Sequence, residues 1–336
     1  MCLSDHFLMR DKIKELFHLD LDENQRKVNY DYLETFIEKN VSSWDNPPNT
    51  ELIESLLTRE LKNFSDFELA FLLVHSGYMP EFYSHDSSQE TLYSKLVESL
   101  ICEWANRIGF TDSFLQTQKS NKEDITIKLG NCVIVCDAKS SRLGRSQSAP
   151  NVKDTIKQAS YIGWLDQYKI NNCRAGIITF PSLMDWKKGS EAYKYFTDKS
   201  LPILFLFYEH LSFILLSQNL NHQSIIDFIH DYSTIFPNST SDKQVYSEGL
   251  KKLFPDKLYV ELKLFLDLSD LIIREKVLHS INRIKVKALT IRQRIEEDIS
   301  KSDFGEVRKI AVDAVFKNKY GQILKQLKNI EKFRLP

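Results

Sequence analysis

Apolar residues recur three and four positions apart through most of this chain, as at Leu52, Ile53, Leu56, Leu57 and Leu61 and again at Leu92, Leu96, Leu100, Ile101, Trp104 and Ile108. That period is the signature of amphipathic helices. From 5 to 76 the helical blocks are broken only by Asn46-Pro47-Pro48-Asn49, and Gly77-Tyr78-Met79-Pro80 then punctuates the chain, which predicts an all-helical N-terminal region over 1–76. Ser87-x-x-Glu90 predicts a capping box opening the next helix. The rhythm changes at Asp124. Ile125, Ile127 and Leu129 alternate with Thr126 and Lys128, and Cys132 through Cys136 is a short apolar run. Two strands around the two-residue turn Gly130-Asn131 follow. Beyond them the pattern predicts a helix over 155–168, strands over 175–180 and 203–208, and a helix opening at Glu209-His210. Long helical blocks near 258–300 and 304–333 complete the chain. Helix, hairpin, helix, strand, strand is the order of an α/β protein: a mixed central sheet flanked by helices over 77–220, between helical regions at 1–76 and 221–336.

The hairpin carries the candidate chemistry. Across a two-residue turn at Gly130-Asn131, Leu129 pairs with Cys132 and Lys128 with Val133, and the same register sets Asp124 opposite Asp137. Side chains so opposed have Cβ atoms about 4.5–5.5 Å apart. Two bare carboxylates would repel at that distance, and a divalent cation between them removes the repulsion. Oxygen-only ligands suit Mg²⁺, which keeps several waters as potential nucleophiles. Strand alternation puts Lys139 on the face of Asp137 and turns Ala138 away. Two carboxylates and an ammonium are the groups that metal-assisted phosphodiester hydrolysis requires. Ile125, Ile127, Leu129, Cys132, Ile134 and Cys136 form the opposite, apolar face, suited to packing on a helix.

An acid-x-Lys triplet alone is weak, and the chain holds a second one. Pro255-Asp256 followed by Glu261-Leu262-Lys263 matches a literal nuclease pattern more closely, but five residues cannot make two strands and a turn, and Leu262, Leu264, Phe265, Leu266 and Leu268 continue a helix.

Charge sharpens the picture. The formal net charge is −1, yet residues 1–100 hold 9 Lys/Arg against 19 Asp/Glu, while residues 271–336 hold 16 against 8. That asymmetry suits a C-terminal third that touches phosphates or mediates dimerisation. The five cysteines are odd in number and mostly in apolar contexts, so reduced thiols and a cytoplasmic site are expected. The eight scattered histidines give no zinc spacing. No run of about 18 apolar residues suggests a membrane span.

Several short blocks, in order, resemble the HindIII-type restriction endonucleases of the PD-(D/E)XK nuclease superfamily. They are Ser88-Gln89-Glu90-x-Leu92-Tyr93-Ser94-Lys95, Asp124-Ile125, Asp137-Ala138-Lys139-Ser140-x-Arg142-Leu143-x-Arg145, Lys153-Asp154 and Leu206-Phe207-x-Glu209-His210-Leu211, over roughly 76–216. Glu123 stands where the superfamily has a nominal proline, and Ser141 where the HindIII-type pattern has a bulky aromatic. The resemblance implies that Asp124 and Asp137, with Ala138, hold a catalytic Mg²⁺, and that Lys139 activates or positions the water. Glu98, on the preceding helix, is the better candidate than Glu90 for an additional acidic group. Arg142, Arg145, Gln147, Asn151 and Lys153 follow the catalytic strand and are expected to clamp phosphates or read base edges in double-stranded DNA.

The function so implied is a type II site-specific deoxyribonuclease, cutting both strands as a homodimer and leaving 5′-phosphates, with a cognate DNA methyltransferase as genetic partner. The rival readings are a structure-specific or repair nuclease of the same superfamily, and a catalytically silent DNA-binding protein.

Overall fold

In the computed structural model, residues 22–84, 86–117, 122–143, 158–171, 173–185, 192–217, 219–255, 257–300 and 305–331 are described. Four helices open the described chain: α1 (Glu23–Tyr30), α2 (Tyr32–Asn40), α3 (Thr50–Leu61) and α4 (Asp66–Ser76). Asp22 and Gln25 cap α1 reciprocally, and Ser65 and Glu68 cap α4. Each pair satisfies two of the amides that a helix start leaves without partners. α4 is buried on all sides from Leu69 to Ser76, because it lies between the rest of the helical layer and the core.

The sheet has five strands in the order β2-β3-β4-β6-β7, formed by β2 (Phe114–Leu115), β3 (Ile125–Leu129), β4 (Cys132–Ala138), β6 (Cys173–Phe180) and β7 (Ile203–Phe207). The first three run antiparallel and the last three parallel, so it is a mixed sheet. β3 and β4 pair Ile125 with Cys136, Thr126 with Val135, Ile127 with Ile134, Lys128 with Val133 and Leu129 with Cys132, the register expected from the turn. Gly130 takes φ +54° while Asn131 does not take a positive φ, which is the II′ arrangement with glycine first; the twist of that turn matches the strands it joins.

Both faces of the sheet are covered. The long helix α5 (Ser88–Arg107) packs against β3 and β4, and α6 (Gln158–Asp166) against β4 and β6. β7 and most of β6 are fully buried, as strands covered on two sides must be. The short helices α7 (Ala192–Tyr195) and α8 (Tyr208–Leu216) flank β7 in sequence, and α8 lies on α4. A separate two-residue ribbon joins β1 (Tyr78–Met79) to β5 (Ser141–Arg142) in parallel. It ties the strand that leaves the hairpin back to the end of the helical layer.

Four further helices follow: α9 (His222–Ile235), α10 (Lys243–Leu250), α11 (Lys257–Ser300) and α12 (Gly305–Glu331). The segment holding Glu261-Leu262-Lys263 is helical in α11, as expected. One apolar core runs through the N-terminal helices, the sheet and α11. A buried bidentate pair fastens α1 to α11: Arg26 donates to Glu275 at 2.8 and 2.9 Å, and Tyr30 Oη donates to the same carboxylate at 2.8 Å.

Two local expectations are corrected. Cys132 and Cys173 form a disulfide, where reduced thiols were expected. The parallel register sets the two residues side by side on β4 and β6, with Cα atoms 4.5 Å apart, a separation a disulfide spans. Cys102 and Cys136 are free and buried. The capping box at α5 is also half formed. Ser87 accepts from the amide of Glu90, but the Glu90 carboxylate turns to the Asp86 amide at 2.7 Å and the Arg142 guanidinium at 2.8 Å, because a full positive charge is the stronger partner.

Candidate active site

Asp124 lies one residue before β3, Asp137 lies at the end of β4, and Lys139 is the first residue beyond it. The ladder from Ile125↔Cys136 outward therefore delivers the two aspartates to the same end of the hairpin. Asp124 Oδ2 accepts from the Ala138 amide at 3.0 Å, and its other oxygen lies 3.8 Å from Lys95 Nζ. Asp137, almost fully buried, is gripped at both oxygens. Lys139 Nζ sits 2.6 Å from Oδ1, and Tyr161 Oη donates to Oδ2 at 2.6 Å. Asp124 thus reaches α5 through Lys95 while Asp137 reaches α6 through Tyr161, so the carboxylates gather between two helices.

Glu98 completes the cluster. It is 5 % exposed and pairs with Lys95 at 2.5 Å, one turn earlier on the same helix. Burial, with the charge of Asp124 adding to it, pushes the Glu98 carboxyl up to about 8. Asp124 is pushed up as well, first by burial and next by the negative charge of Asp137, against the lowering pull of Lys95, the Ala138 amide and Lys139. Burial opposes the charge on Lys95, yet Glu98 and Asp124 hold its ammonium above the ordinary lysine value. Three acids around two ammoniums leave an excess of negative charge that a divalent cation, or protons, must relieve.

The donor set fits such a cation only in part through side chains. Among the described residues, no group of three or more His, Cys, Asp and Glu side chains is arranged to hold a metal. Asp124 and Asp137 offer hard carboxylate oxygens, and at Ala138 only the main-chain carbonyl is available, since its side chain is a methyl. Two carboxylates, a carbonyl and waters suit Mg²⁺, which keeps much of its hydration shell.

Of the residues expected to meet DNA, Arg142 is described and is already engaged. It sits in β5, donates to Glu90 at 2.8 Å and to the carbonyl of Tyr83, and is mostly covered. Its guanidinium fastens the β1–β5 ribbon to α5. Arg145, Gln147, Asn151 and Lys153 lie outside the described residues.

Sequence reasoning missed three neighbours. Lys95 was noted in a shared block without a role, and its i,i+3 spacing from Glu98 was the available signal. Tyr161 lies 24 residues from Asp137 and carries no local mark. Glu123, in the place of the nominal proline, is buried, and its Oε1 accepts from Thr126 and Tyr168 at 2.7 Å each and from Gln116 at 3.2 Å. That carboxylate pins the entry to β3 and so helps place Asp124.

No helix among the described residues is long and apolar enough to cross a membrane. No curated protein matches the chain. Residues 38–260, which include α3 through β7 and every described member of the cluster, match the family described as HindIII restriction endonuclease. The chain belongs to the HindIII restriction endonuclease family, a family of nucleases that act on DNA.

Proposed function

We propose that this protein is a type II restriction endonuclease of PD-(D/E)XK type, which hydrolyses both strands of DNA at a specific base sequence with Mg²⁺ and leaves 5′-phosphate and 3′-hydroxyl ends. The observation that carries this reading is the meeting of Asp124, Asp137 and Lys139 at one end of the β3–β4 hairpin. Asp124, Asp137 and the Ala138 carbonyl would hold the ion. Bound there, Mg²⁺ supplies an acidified water and neutralises charge on the leaving 3′-oxygen.

The chain's own groups do the rest. The Lys139 ammonium lies at the rim beside Asp137, where it would face the nucleophile and the phosphate and stabilise developing negative charge. Glu98, held by Lys95, is an additional acidic group that orders water beside Asp124. Arg142, Arg145, Gln147, Asn151 and Lys153 are proposed to touch base edges or phosphates, and the basic C-terminal region to contribute phosphate contacts or a dimer surface. Cutting a two-fold symmetric site on both strands calls for a homodimer, and a cognate methyltransferase would be the genetic partner that protects host DNA.

Incubation with phage DNA and Mg²⁺, followed by sequencing of the ends, tests the reading. Discrete fragments with one common end sequence are expected. Nicking confined to junctions would point instead to a structure-specific nuclease, and binding without any cleavage to a silent DNA-binding protein.

A further inference from the structure

We infer that Tyr161 is a positioning residue of the nuclease centre: its hydroxyl fixes the plane of the Asp137 carboxylate, the group that would hold the shared cation. This rests on the function proposed above.

The two partners of Asp137 differ in kind. Lys139 Nζ, 2.6 Å from Oδ1, brings a full positive charge that competes with any cation for the same carboxylate. Tyr161 Oη, 2.6 Å from Oδ2, donates a hydrogen bond and brings no charge. A neutral donor can remain in place when a cation arrives, because it occupies one lone pair and leaves the carboxylate anionic. Lys139 must give up its contact to act on the phosphate; Tyr161 need not. Orientation of a ligand by an outer hydrogen bond is the usual means by which a protein keeps a metal carboxylate from rotating.

The site around the ring is shaped for this. Tyr161 is fully buried. The ring lies against the backbone of β6 at Gly176, where an added Cβ would come within 3.2 Å of Tyr161 Cδ1. Gly176 is level with Val135 on β4, two residues before Asp137. Trp164, one turn on, meets the ring edge-on with centroids 5.0 Å apart. Glycine below and tryptophan beside leave the ring one orientation, with its hydroxyl on the carboxylate.

Tyr161→Phe keeps the ring and removes the hydrogen bond. The expected result is a loss of about tenfold or more in kcat and in Mn²⁺ affinity, measured on the protein alone by the loss of free-ion electron paramagnetic resonance signal. The KM for DNA should stay near that of the parent. Gly176→Ala, which presses the ring outward while leaving the hydroxyl, should give a smaller loss in the same two quantities. The inference is overturned if Tyr161→Phe binds Mn²⁺ and turns over like the parent, or if KM rises with kcat unchanged. A parent protein that neither takes up Mn²⁺ nor cuts DNA would instead overturn the function on which the inference rests, and this inference with it.

Discussion

Asp137 and Asp124 repel each other, and the folded protein tolerates this only because Lys139, Lys95, Tyr161 and the Ala138 amide share the load. A measurable tension follows between stability and function. Asp124→Asn removes a carboxylate whose charged form burial and Asp137 both disfavour. The metal-free variant should melt slightly higher than the parent and should lose cleavage. Scanning calorimetry without metal, beside a plasmid assay, reads both.

The same crowding gives a pH dependence. Glu98 titrates near 8 in the folded protein against about 4.3 when free, so the folded state holds the extra proton between those values. Its contribution to stability is present in full below the lower value and is lost as pH rises through about 8. Metal-free protein should therefore weaken from pH 5 to 8, and a divalent cation should restore it, with protons released on binding. Calorimetric titration of Mn²⁺ at pH 7 in two buffers of different ionisation enthalpy measures that release; equal heats in both would contradict it.

The elements explain which parts of this centre the sequence displays. A two-residue turn and a period of two fix every pair from Ile125↔Cys136 to Leu129↔Cys132, so the arrival of Asp124 and Asp137 at one end of the hairpin was legible by counting. Strands β6 and β7 were legible as apolar runs. β2, β1 and β5 have two residues each, too short for any alternation to register. The Cys132–Cys173 bond depends on which parallel strand lies beside β4, and chain order alone does not reveal it. Tyr161 and Lys95 became visible only when α5 and α6 docked on the sheet.

At this scale the clasp between α1 and α11 is testable. Arg26 is fully buried, and its removal would strand the Glu275 carboxylate in the core. Breaking one partner of such a pair costs about 3–5 kcal/mol. Arg26→Met should lower the urea midpoint accordingly, while replacing both residues with apolar ones of similar volume should recover much of the loss. A midpoint unchanged in Arg26→Met would show that the pair contributes nothing.

Across the whole molecule, chemistry and charge are separated. The cluster lies in the segment that defines the family, residues 38–260, whereas the strongest excess of cations lies beyond it, at 271–336. α11 and α12 pack on each other, and in α12 Val312 and Ile330 are buried while Ile310 is 72 % exposed. Removing 305–336 should thus leave the core folded. If the region touches phosphates, the truncated protein binds DNA more weakly at low salt and its affinity falls less steeply with salt. An unchanged salt slope would assign the region to dimerisation or to bracing.

The central claim is that one carboxylate from each arm of the β3–β4 hairpin serves a common cation. Anomalous diffraction from crystals soaked in Mn²⁺ tests it most directly. The expected result is a single strong peak bonded to an oxygen of Asp124 and an oxygen of Asp137, lost in Asp137→Asn. A peak on one aspartate alone, or none at the hairpin in crystals of protein that cuts DNA, would contradict it.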